Sequence, residues 1–171
     1  MKHMLITILL LTQLTASINE LNSFEADFTQ SITDDKNKVL TYSGHIVASK
    51  PQNAIWRYIK PVKKDVYINK YEVTIVEPEI EQVIIRRFDS NFSFFNMLKN
   101  TKKISYNTYE ANYKNSKFII IENKNSIESI SYVDEFENNV KITFTNQISN
   151  KEIENKVFMP KYSLEFDIIR D

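Results

Sequence analysis

Hydrophobic positions along the chain fall into two periods. In residues 17–32 (SINELNSFEADFTQSI), Leu21, Phe24 and Phe28 stand at i, i+3 and i+7, and Ser17 with Glu20 has capping-box spacing. That pattern predicts one amphipathic helix over 18–31. After the DDKNK turn the period shortens. Residues 39–42 and 44–48 read as a strand pair, or as one strand bent at Gly44. The runs IWRYI (55–59), DVYI (65–68), EVTIV (72–76) and QVIIRRF (82–88) follow at intervals of about ten, punctuated by Pro51, Pro61 and Pro78. This spacing predicts an antiparallel meander, not strand–helix–strand units. Residues 91–100 (NFSFFNMLKN) interrupt it with Phe92, Phe95 and Leu98 at i, i+3 and i+6, a second short helix. The stretch 104–113 fits either element. Strands resume at KFIIIE (117–122), IESISYV (127–133) and NVKITFTN (139–146), and a last segment runs over 156–169.

Several of these strands are apolar on both faces: Val73, Ile75 and Val76; Val83, Ile84 and Ile85; Phe118 to Ile121. A sheet with one wet face alternates more cleanly. Two faces need cover and few helices are available, so part of the apolar surface is left for a guest. The fold class is α+β, mainly antiparallel β.

Residues 1–17 (MKHMLITILLLTQLTAS) have the layout of a secretory signal peptide: Lys2, an apolar stretch over 5–14, then small residues. The stretch is too short to span a bilayer comfortably. The expected division is therefore a signal peptide over 1–17 and one domain over 18–171, exported to the periplasm.

Composition removes most chemistry. Lys+Arg and Asp+Glu both total 22, so no overall field draws nucleic acid. Cysteine is absent, and only His45 lies outside the leader. Thiol nucleophiles and multi-histidine metal sites are thereby unavailable, and no G-x-S-x-G elbow presents a serine. A single glycine, Gly44, excludes phosphate-binding glycine loops. Glu77, Glu79 and Glu81 offer the materials of a carboxylate-dependent hydrolase, but around Pro78 they read as a solvated turn. No catalytic residue, metal or cofactor is expected. Eighteen asparagines compensate for the missing glycines in turns.

Three stretches together resemble the outer-membrane lipoprotein carrier family, LolA: FEADFTQ (24–30), SGHIVASKPQNAIWRYIKP (43–61) and IVEPEIEQVIIRR (75–87). The resemblance implies an unclosed, strongly curved β-barrel, a half-barrel with short helices lying over its mouth as a lid. It implies a carrier that takes acylated lipoproteins from an inner-membrane ABC transporter to an outer-membrane receptor. Such a carrier is not membrane-embedded and is expected to act as a monomer. The receptor in such systems is itself anchored through a cysteine, and the absence of cysteine favours the soluble carrier. On this reading Trp56 and Tyr58 line the cavity, joined by Ile68, Val73, Ile75, Val83 and Ile85. Phe24 and Phe28 cover it from the first helix. Phe92, Phe95 and Leu98 belong to the movable lid. Lys50 stands where the family usually has an arginine that latches the lid through backbone carbonyls, and one ammonium replaces a planar fork. Ala54 replaces a usual aromatic two places before Trp56, which enlarges the cavity or leaves the space to another side chain. The alternative reading is a shuttle for another lipid on the same half-barrel.

Overall fold

The computed structural model describes residues 18–87 and 93–170. The expected signal peptide over 1–17 lies outside them. A 3-10 turn at Ile18–Glu20 opens the chain. Six strands then follow as a meander: β1 (Ser23–Thr33), β2 (Val39–Ser49), β3 (Asn53–Lys60), β4 (Lys64–Ile68), β5 (Glu72–Glu77) and β6 (Gln82–Arg87). Helix α1 (Phe94–Lys99) precedes β7 (Lys102–Lys103), β8 (Thr108–Tyr113), β9 (Ser116–Asn123), β10 (Ser126–Val133) and β11 (Asn139–Ser149). A final strand, β12 (Asp167–Arg170), ends the described chain.

All twelve strands share one sheet in the order β12-β6-β5-β4-β3-β2-β1-β11-β10-β9-β8-β7. Every neighbour is antiparallel except β12, which runs parallel to β6. The two meanders thus meet at β1 and β11, and the edges stay apart. α1 belongs to the connection from β6, near one edge, to β7 at the other, so it crosses the sheet's interior. The sheet is strongly curved. β3 and β9 are five strand positions apart, about 24 Å in a flat sheet, yet Trp56 and Phe118 border one cavity.

The helix expected over 18–31 is a strand. In SFEADFTQSIT, Phe24, Ala26, Phe28 and Ile32 also recur with period two, and this period governs because β1 is paired on both sides, with β2 and β11. Neighbouring strands supply backbone partners and bury Phe24 and Phe28 to 1% and 2% exposure, which overrides the helical spacing. Where several short helices were expected over the mouth, the described residues contain one α-helix, α1.

Residues 39–49 form one strand, with the irregularity at the glycine. The β2–β3 register shifts between Ser43↔Lys60 and Gly44↔Tyr58. A Cβ on Gly44 would lie 2.0 Å from the Arg57 carbonyl oxygen and 2.9 Å from Phe28 Cε1. The turns use local carboxylates. Asp34 Oδ1 accepts from the amides of Lys36 and Lys38 at 3.0 and 2.8 Å, and Asp134 Oδ1 repeats the motif with Phe136 and Asn138, both at 2.9 Å. Asparagine takes left-handed positions at Asn37, Asn125, Asn146 and Asn150, while Glu81, Lys114, Lys124 and Glu137 take others. Glu81 closes the 3-10 turn Pro78–Ile80, so the acidic cluster is a turn, as its sequence suggests.

Two cores occupy the two faces. The inner one joins Phe24, Phe28 and Ile46 to Ile120, Ile130, Ile142 and Phe144, with Phe95 and Leu98 of α1 above them. The outer one joins Val47, Ile55, Tyr67, Val76 and Val83 to Phe158, with Ile153, Val157, Tyr162 and Phe166 packed alongside. The last five come from the connection between β11 and β12. This C-terminal arm covers the outer face of β2–β6, which explains why those strands are apolar on both sides.

Candidate functional site

Between the inner face and α1 lies a cavity of about 260 Å3 with a largely apolar lining. One wall is built from β2–β4: Ile46, Ala48, Ala54, Trp56 and Ile68. The opposite wall comes from β9–β11: Phe118, Ile130, Tyr132 and Ile142. α1 roofs it with Phe94, Phe95 and Met97, while Gln52 and Asn53 stand at the β2–β3 turn. A larger hollow of about 470 Å3 on the outside of the sheet mixes Lys117, Lys141, Ser31 and Ser131 with Ile119 and Val133. Of these two, the inner cavity is the better suited to a purely hydrocarbon guest.

The expected site residues divide by face. Cross-strand partners point the same way, so the pairs Ala54↔Ile68, Ile68↔Val73 and Val66↔Ile75 set Ile68, Val73 and Ile75 on Trp56's side. Ile68 reaches the cavity, whereas Val73 and Ile75 continue the inner face beyond its lining. Val83 and Ile85 do not belong to the site. Ile84 and Arg86 pair with Ile75 and Val73, which turns Val83 and Ile85 outward into the core beneath the C-terminal arm. A run of three apolar residues conceals which alternate pair faces inward, and Val83 is 0% exposed because the arm covers it.

Phe24 and Phe28 lie beneath the cavity as part of the sheet, where the sequence suggested a covering helix. Phe28 packs edge-on against Trp56 and Tyr58 with centroids 5.0 and 5.1 Å apart, and Phe24 against Phe144 at 5.3 Å. The Tyr58 hydroxyl donates to Gln30 Oε1 at 3.1 Å, and burial pushes its pKa up to about 12. Lys64 Nζ lies 4.7 Å from its ring centre.

Phe95 and Leu98 are buried on α1, and Phe92 lies outside the described residues. Lys50, expected as the latch, is exposed and donates from Nζ to Asn22 Oδ1 at 3.0 Å. Its contact is therefore with the entry to β1, one step removed from α1. Ile18 and Leu21 in that N-terminal segment share the inner core with the helix. α1 is held to the β2–β3 turn by Ser93. Its hydroxyl donates to the Pro51 carbonyl at 3.3 Å and accepts from the Asn96 amide at 3.4 Å as the helix N-cap.

Phe94, Met97 and the whole β9–β11 wall were missed in the sequence. Alternation in Ile130/Tyr132 and in Val140/Ile142/Phe144 was the available signal, but it marks a buried face without saying whether a guest shares it. His45 lies on the other face, with Nδ1 2.8 Å from Asp27 Oδ1. Hydrogen bonds from Asn146 and His45 hold the Asp27 carboxyl below its usual range. Among the described residues no group of three or more histidine, aspartate or glutamate side chains could hold a metal ion. No described helix is long and apolar enough to cross a membrane.

Comparison with known proteins adds to this geometry. A family model described as "Outer membrane lipoprotein carrier protein LolA" matches residues 19–108. A Campylobacter jejuni protein named outer-membrane lipoprotein carrier protein is 43% identical over 169 residues, 99% of each chain. A Wolinella succinogenes protein of the same name is 31% identical over 156 residues, 91% of each chain. Among solved structures, an uncharacterized conserved protein of Thermus thermophilus aligns with a TM-score of 0.56 at 9% identity, over 90% of this chain and 93% of that one. A LolA superfamily protein of Nitrosomonas europaea aligns at 0.51, also 9% identical, over 82% and 91%. These two likenesses are of fold.

Proposed function

The chain belongs to the outer-membrane lipoprotein carrier family, LolA, and from that premise we propose that its inner cavity is where a lipoprotein's acyl chain rides. The protein is a lipoprotein carrier of the periplasm. Its task follows from hydration. Each methylene exposed to water costs about 0.8 kcal/mol, so a chain of ~16 carbons faces a barrier of about 12 kcal/mol to free transit. A carrier has to bury that chain and still release it.

The observation that carries the reading is the cavity left unfilled between a curved sheet and a single helix. An apolar cavity of about 150 Å3 holds one benzene ring. At about 260 Å3 this one takes a short run of methylenes as it stands. A whole chain requires α1 to lift, which exposes Phe94, Phe95 and Met97 to the guest. Trp56 and Ile68 contact the chain on one side, Ile130 and Ile142 on the other. Ser93, at the hinge of α1, is the contact that lifting breaks; Lys50 acts through the N-terminal segment instead. The carrier loads from an inner-membrane transporter and unloads to an outer-membrane receptor, after residues 1–17 have directed export.

An environment-sensitive apolar dye bound to the mature protein tests this. Displacement by an acylated cysteine peptide, and not by the same peptide without its acyl group, is expected. Equal displacement by both would remove the acyl-chain reading.

A further inference from the structure

The lining of the cavity is not uniform. Its aliphatic flanks can shift rotamers around a guest, and α1 is a short element held by few contacts. Trp56 and Tyr132, facing each other from the two walls, are aromatic and braced. Trp56 rests edge-on against Phe28 at 5.0 Å, and the Tyr132 ring lies 5.0 Å from that of Phe118, tilted by 36°. Tyr58 does not line the cavity; it stands behind, on the same strand face as Trp56, with its ring in contact with Phe28 and Tyr42 at 5.1 and 5.7 Å. Its hydroxyl is tied to Gln30, and Lys64 covers the ring at 4.7 Å. Around Tyr58 the inner face carries polar groups. Gln30, Tyr42 and Lys64 offer a hydrocarbon guest nothing, and Lys64 with its two rings cannot be dehydrated cheaply.

We propose that Trp56, Tyr58 and Tyr132 form a length stop: they fix how many methylenes of an acyl chain the carrier buries, and Tyr58 is the residue that keeps the stop rigid. This rests on the acyl-chain reading and adds the class of chain that fits, one whose terminal methyl reaches the aromatic wall. Longer chains leave their excess methylenes outside.

The test is a homologous series of single-chain acylated cysteine peptides, measured by dye competition against the mature protein. Each additional buried methylene strengthens binding about fourfold. The wild-type series is expected to strengthen at that rate up to a limiting length and then stay flat. Tyr58→Ala and Tyr132→Ala each move the limit to longer chains. A wild-type series that strengthens with no break would overturn the stop, as would an unchanged limit in both variants. If either variant fails to fold, the wild-type series and the other variant still decide. Absence of binding at every length would instead defeat the acyl-chain reading itself, and the stop with it.

Discussion

At the scale of single residues, Gly44 and Tyr58 carry the most specific demands. Gly44 is fixed by space, since its missing Cβ leaves room for the Arg57 carbonyl and the Phe28 ring. Gly44→Ala is expected to lower stability by about 2–3 kcal/mol in urea unfolding, because backbone on one side and a buried ring on the other cannot both yield. Tyr58 is fixed by burial. Its folded pKa of about 12 exceeds the ordinary tyrosine value near 10. The folded state therefore favours the neutral phenol. Stability linked to Tyr58 is intact below about pH 10 and declines as pH rises toward about 12. Burial also raises Tyr132, so ultraviolet titration of Tyr58→Phe should lose one tyrosine's share of the late-ionising phase, and an unchanged late phase in that variant would place the effect elsewhere.

At the scale of elements, α1 and the C-terminal arm perform opposite tasks. The arm closes the outer core permanently. Phe158→Ala should destabilise the fold by about 3 kcal/mol and leave dye affinity in the cavity unchanged, since Phe158 packs on the face away from the cavity. α1 is built to be moved. Ser93→Ala removes both the N-cap and the tie to Pro51, and a loss of about 1 kcal/mol should speed dye release about fivefold in stopped-flow dilution. The meander was legible because Val, Ile and aromatic residues recur between Pro, Asn and charged turns at a regular spacing. β1 was misread because Leu21, Phe24 and Phe28 satisfy the helical period while Phe24, Ala26 and Phe28 satisfy the strand period. Pairing on both sides decides between them, and pairing is not local. The arm was illegible for a related reason: residues 153–166 scatter Ile153, Val157, Phe158, Tyr162 and Phe166 with no regular period, so nothing marked them as the cover of the second face. Val83 and Ile85 were assigned to the cavity for want of that cover.

At the scale of the whole molecule, a curved sheet whose outer core is sealed by the C-terminal arm and whose inner face is only roofed by α1 explains how the protein keeps an apolar space. The inner face around Trp56 would be ordinary core in a closed barrel; the separation of the β7 and β12 edges is what leaves the space open to a guest.

 Residues 43–61 supply most of β2, all of β3 and the turn that Ser93 grips. Its Trp56 is the chain's single tryptophan, half-buried at the cavity wall, so the protein carries its own reporter at the proposed site. The most direct test is quenching of Trp56 emission by an acylated cysteine peptide brominated near the end of its chain. Saturable quenching by the brominated peptide, and none by its unbrominated or unacylated counterparts, is the predicted result. Saturable binding of the brominated peptide that leaves Trp56 emission unchanged would contradict the account, because the chain would then lie somewhere other than between the inner face and α1.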